Sequence, residues 1–227
     1  MSEINQQEQN HSEHFVKKNQ KQITAFLVIL VLIVGGYFGY MELYQKPREI
    51  KAADAMFAAE NYFFQDSSKL VLNGDGTSKG VLYIIKTYSG TKAENLANFY
   101  AGVSYYKLGD LNKSIQYLKD FSTDAKQIQS IAYGTLGDAY ADLKKNTEAL
   151  DYYKKAGANF PEDEVISSEY LFRAAQLQEV LGKTDEAVAI YKDIKAKYPT
   201  TEIGLNVDKF ILTDLIICYD KVHFLKW

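Results

Sequence analysis

The sequence predicts an all-α chain: an α-solenoid of repeated helix–turn–helix units preceded by one transmembrane helix. Three observations predict it. An uncharged run, "ITAFLVILVLIVGGYFGY", occupies Ile23 to Tyr40. Small and aromatic residues then recur at spacings of 35 and 38 residues in segments with helical periodicity. Proline is confined to Pro47, Pro161 and Pro199, at the borders of those segments.

Residues 1–22 are rich in Asn, Gln, Glu and Lys, with too little apolar content to offset the entropy of ordering, and are expected to form a disordered polar tail. The change at Ile23 is abrupt. The 18 uncharged residues to Tyr40 would reach about 27 Å as a helix, close to one hydrocarbon core. Residues 23–41 are therefore expected to be a transmembrane anchor. A cleaved signal peptide is the main rival, but its apolar region is shorter and ends at a small-x-small site, whereas the exit here reads "YFGYMELYQ". Tyr37, Tyr40 and Tyr44 suit the interfacial aromatic belt. Lys17, Lys18 and Lys21 before the run are balanced by Lys46, Arg48 and Lys51 after it, so the positive-inside count leaves orientation open. A single anchor near the N-terminus commonly exports the domain on its C-terminal side, and an exported repeat domain is the orientation expected, with the cytoplasm-facing one as the alternative.

Beyond Pro47 the segments can be laid over one another. Gly102, Gly137 and Ala175 correspond; Tyr105, Tyr140 and Gln178 follow by three residues, Ser114, Ala149 and Ala187 by twelve, and Leu118, Tyr153 and Tyr191 by sixteen. A small residue in the first helix of a unit lets the second approach closely, and the aromatic residue one turn later is expected to fill the space at the edge of that contact. The turns "LGDLN", "LKKNT" and "LGKTD" hold Gly109 and Gly182, which can take the left-handed conformation that ends a helix. Three repeats are expected over residues 95–200 and a divergent copy over 46–94, with "AADAMFAAENYFFQDSSKLVL" as its first helix and "GVLYIIKTYSGT" as its second. Between them "NGDGTSK" reads as a glycine-rich turn. Asn73, Asp75 and Thr77 invite comparison with a calcium loop, but no glutamate closes it at the required distance. Residues 201–227 are expected to hold a capping helix and an apolar tail.

Composition narrows the chemistry. The formal charge of −3 and a pI near 5.7 give no basic face for nucleic acid. Cys218 is the single cysteine, so no intramolecular disulfide forms, and it lies too far from the N-terminus to be a lipoprotein acylation site. His11, His14 and His223 lack zinc-ligand spacing. There is no nucleophile and base pair and no phosphate-binding loop, so neither catalysis nor a cofactor, metal or small-molecule substrate is expected.

The repeat resembles the tetratricopeptide repeat family. Its best copy is "YGTLGDAYADLKKNTEALDYYKKAGANFP", where Leu136, Gly137, Tyr140, Ala149, Tyr153, Ala156 and Pro161 all fall where that family has such residues. The flanking copies depart from the pattern at Ser114, Lys126, Ala175 and Gln178. The resemblance implies a stacked array whose first helices line a concave surface that binds other proteins or peptides. Counting from the packing glycine, that groove holds Leu96, Phe99, Val103 and Tyr106, then Ile131, Gly134, Asp138 and Ala141, then Glu169, Phe172, Gln176 and Glu179, with Arg173 and Lys107 nearby. With its anchor, the layout is similar to bacterial envelope proteins of this family, especially the inner-membrane type associated with the Sec translocon and periplasmic chaperones. It implies a periplasmic scaffold; an outer-membrane protein assembly component and a cytoplasm-facing adaptor are the alternatives.

Overall fold

The computed structural model describes residues 2–212, with side chains from residue 19 onward. Its named elements are all helices, in two units that divide between Lys51 and Ala52.

In the first unit α1, Ser2–Tyr40, passes through a π-helical turn, Met41–Gln45, into α2, Lys46–Phe64. Phe26 to Val34 are all exposed, by 45% at Leu30 and up to 69% at Val31 and Leu32. The helix is long and apolar enough to cross a membrane by length and composition. In water that surface would cost about 25 cal/mol for each Å² of apolar area. The polar residues ahead of it differ from expectation: in place of an unstructured tail, helix runs back to Ser2. Glu, Gln and Lys are good helix formers, and once the apolar run supplies a nucleus, extending the helix costs little.

In the second unit α2 is followed by α3, Ser68–Asn73, and α4, Val81–Thr87. Three helix pairs come next: α5, Lys92–Lys107, with α6, Leu111–Asp120; α7, Lys126–Asp142, with α8, Asn146–Asn159; and α9, Glu164–Val180, with α10, Thr184–Lys197. The first helix of every repeat ends in the same way. Asp66, Gly109, Lys144 and Gly182 have left-handed φ angles of 56°, 80°, 60° and 72°. The next N–H then reaches back to the carbonyl five residues earlier, at 2.9 Å in all four: Ser67 to Tyr62, Asp110 to Tyr105, Lys145 to Tyr140 and Lys183 to Gln178. This is the Schellman closure.

That closure sets the layout of the divergent copy and corrects its expected helices. The first helix stops at Phe64, and "SKLVLN" opens the second, which the "NGDGTSK" loop interrupts before it resumes at Val81. The interruption is built in: a Cβ on Gly80 would lie 2.3 Å from the Leu72 carbonyl oxygen, and Gly74 has a φ of +79°. The Asp75 carboxylate accepts from the Thr77 and Ser78 N–H groups and from the Tyr62 hydroxyl. Those bonds hold its carboxyl below the usual range, the Ser78 N–H most of all.

Packing within the pairs follows the small residues. A Cβ on Gly102 would meet Leu118 at 2.4 Å, and one on Gly137 would meet the Tyr153 ring at 2.5 Å. The space beside each glycine is thus filled by the residue sixteen positions on. The tyrosines expected there stack elsewhere, Tyr105 on Tyr117 at 5.5 Å and Tyr140 on Tyr152 at 5.4 Å, both nearly parallel. Beyond α10, α11 spans Glu202–Asn206 and begins with Thr201 capping the Gly204 N–H. Val207 and Ile211 are buried with Ala187, Tyr191 and Ile194. Most of the expected apolar tail lies outside the described residues.

Candidate functional site

The first helices α5, α7 and α9 lie side by side, and a hydrogen-bonded polar network joins α7, α8 and α9. At its centre Asp138 on α7 accepts from Arg173 Nη1 on α9 through both carboxylate oxygens, at 2.8 and 2.9 Å. It also accepts from the Tyr153 hydroxyl on α8 at 2.8 Å. Arg173 Nε donates to Glu169 at 2.9 Å, one helical turn earlier, and the guanidinium lies 5.5 Å from the Tyr170 ring centroid. Gly134 makes room for that ring, since a Cβ there would stand 2.0 Å from Tyr170 Cε1. A glycine in mid-helix is thus explained by the neighbouring repeat.

The electrostatics keep these groups as fixed donors. Burial, then the Asp138 and Asp142 carboxylates, push the Tyr106 phenol up to about 12. Burial pushes Tyr170 up to about 12 as well, partly offset by Arg173. Tyr153 is raised further, by burial first and Asp138 next. Burial works against the Arg173 charge, but the Asp138 and Glu169 carboxylates outweigh it and the guanidinium ends above its ordinary value. The three phenols stay protonated and the arginine charged at any physiological pH.

The structure brings Tyr106, Asp138 and Arg173 together. Gln176 is exposed on α9, while Leu96 and Ile131 are half-buried against the core. Phe99 and Val103 are placed differently from the expected open groove, at 7% and 9% exposure. Phe99 packs on Phe121 at 5.2 Å, because the α5 face read as a groove also closes over the end of α6. Phe172 is half-buried and held by Tyr191 and Phe210 at 5.6 and 4.9 Å. Beside it, Glu169, Phe172, Glu202, Ile203 and Phe210 help line a pocket of about 440 Å³. Tyr153, Tyr170 and Asp142 belong to the network although sequence reasoning did not assign them to it. Repeat register carries the missing signal, because it sets Arg173 on one first helix beside Asp138 on the one before.

Three segments match family models described as tetratricopeptide repeat: residues 96–125 and 169–201 match one model and residues 131–156 another. The chain carries tetratricopeptide repeats. The matched segments fall on the pairs α5–α6, α9–α10 and α7–α8. The fold is also similar to a solved structure from Podosopora anserina, described as the nearly identical TPR-like repeats of a putative kinesin light chain. That likeness has a TM-score of 0.55 at 12% identity and covers 78% of this chain and 90% of the other. A variant of the same protein gives 0.54 at 11% identity with the same coverage. No curated protein matches the sequence significantly.

The tetratricopeptide array thus presents a face with aromatic donors, one arginine held in place by two carboxylates, and a pocket at its C-terminal end. Such a surface can hydrogen-bond and orient a polypeptide.

Proposed function

We propose that the chain is a non-catalytic, membrane-anchored scaffold that binds a segment of another protein along the α5–α7–α9 face. Tetratricopeptide repeats imply a protein–protein interaction scaffold. The observation that carries the choice of face is the Asp138–Arg173 pair, which joins α7 to α9, with Tyr106 of α5 near enough for the Asp138 carboxylate to help raise its phenol. Arg173 is 38% exposed at its side chain yet bonded at Nε and Nη1, and a group held in position before binding loses less entropy on complex formation.

The anchor is residues 23–41, supported by the exposed apolar stretch of α1. The repeats face the periplasm from a bacterial inner membrane, where the partner is an envelope protein at the Sec translocon or a periplasmic chaperone. This placement rests on the architecture and on the resemblance of layout. Capture of the partner from membranes by the full chain tests the binding reading. Arg173→Gln combined with Gln176→Ala should lose capture, while Lys119→Ala with Lys154→Ala should keep it; the reverse pattern overturns the face. Alkaline carbonate extraction tests the anchor, and release of the chain into the soluble fraction would contradict it.

A further inference from the structure

The pocket beside Phe172 is shaped by the way α11 follows α10. A Cβ on Gly204 would stand 1.9 Å from the Tyr198 carbonyl oxygen, so glycine lets α11 sit hard against the end of α10. Glu169 and Phe172 of α9, Glu202 and Ile203 of α11 and, just beyond, Lys209 and Phe210 surround a cavity of about 440 Å³. Pockets that take ligands run from about 300 to 1,000 Å³. The apolar wall includes two phenyl rings 4.9 Å apart, Phe172 and Phe210. The charged wall sets two carboxylates against one ammonium.

The carboxylates differ in what they already hold. Glu169 accepts from Arg173 Nε through Oε1. Glu202 is exposed, and no hydrogen bond or ion pair holds its carboxylate among the described residues. The polar network and the pocket together carry Asp138, Asp142, Glu169 and Glu202 against Arg173 and Lys209, and the Arg173 charge is matched by Asp138 and Glu169. This end of the face is therefore acidic. A cation over an aromatic ring beside a carboxylate is also an arrangement the chain uses itself, with Arg173 over Tyr170 and bonded to Glu169, and Lys209 lies 5.0 Å from the Phe210 ring centroid. Phenyl faces attract cations, and a guanidinium can stack on a ring and pair with a carboxylate at once, where an ammonium acts as a point charge. We propose that the segment bound on this face is basic and seats an arginine in the pocket, its guanidinium on the Phe172 and Phe210 rings and paired with Glu202. The inference rests on the reading above that the first helices form the binding face.

Fluorescence anisotropy of labelled, end-capped peptides with the full chain in nonionic detergent tests this. The probes, equal in length, alternate serine with arginine, lysine, glutamate or leucine. The arginine probe should bind most tightly, and Glu202→Lys should weaken it about tenfold or more, because like charges then meet in the pocket. Glu148→Lys, exposed on α8, should leave it unchanged. Phe210→Leu should remove the preference for arginine over lysine. Failure of the arginine probe to bind, or binding that ignores Glu202→Lys, overturns the proposal. So does tighter binding of the glutamate or the leucine probe, which gives the pocket to an acidic or an apolar segment. If Phe210→Leu fails to fold, Glu202→Lys, at an exposed side chain, still decides. Partner capture from membranes separates the seat from the face: loss with Arg173→Gln and Gln176→Ala but not with Glu202→Lys keeps the face and overturns the arginine seat.

Discussion

Lys144 stands where Gly109 and Gly182 stand in the neighbouring repeats, at a φ of 60°. A side chain in that conformation costs about 1–2 kcal/mol. Lys144→Gly removes the strain but adds freedom to the unfolded chain, worth about 0.4–1 kcal/mol. The net expectation is a stabilisation of about 0.5 kcal/mol, read as a small rise in the thermal midpoint. Gly137 is the opposite case. Its Cβ would come within 2.6 Å of two Tyr153 ring carbons, so Gly137→Ala should cost about 1–3 kcal/mol by overpacking, and an unchanged denaturant midpoint would contradict the packed seam. The sequence showed Gly137 as a packing site because its small neighbours recur at fixed offsets. It did not show Lys144, since nothing in a lysine marks a left-handed turn and only the register of the four helix ends reveals it.

Between elements, Asp138 on α7 and Arg173 on α9 form a charged pair across two first helices. A double-mutant cycle with Asp138→Asn and Arg173→Gln isolates that pair from the packing around it. Charged hydrogen bonds are worth about 1.5–3 kcal/mol, and with the Arg173 side chain 38% exposed solvent reduces the coupling to about 1–2 kcal/mol. A coupling near zero in urea unfolding would mean that the repeats stack without it. The helices themselves were legible from period and turn residues. The network was not, because its members lie on different repeats and meet only through stacking. The burial of Phe99 was not legible for a related reason: a first helix of this array is apolar on more than one side, and sequence alone does not say which side the neighbouring helices cover. The split second helix, α3 and α4, was obscured by a loop inserted in its middle, so "SKLVLN" was joined to the wrong helix.

For the whole molecule, stability in a solenoid is a sum of repeat and neighbour terms, and the proposed binding face is one that no single repeat supplies. The anchor reading came from one uncharged run, and the fold from offsets repeated three times; both are long-range patterns that survive local divergence. The partner left no such pattern, because recognition depends on a few side chains whose surroundings are set by folding. The central claim is that the α5–α7–α9 face holds the partner. Site-specific photo-crosslinking in intact membranes tests it most directly, with the reactive side chain placed in turn at Gln176, Tyr106 and Lys154 of the full chain. Adducts to the same partner from Gln176 and Tyr106, with none from Lys154, are the predicted result. Adducts from Lys154 with none from the other two would contradict it.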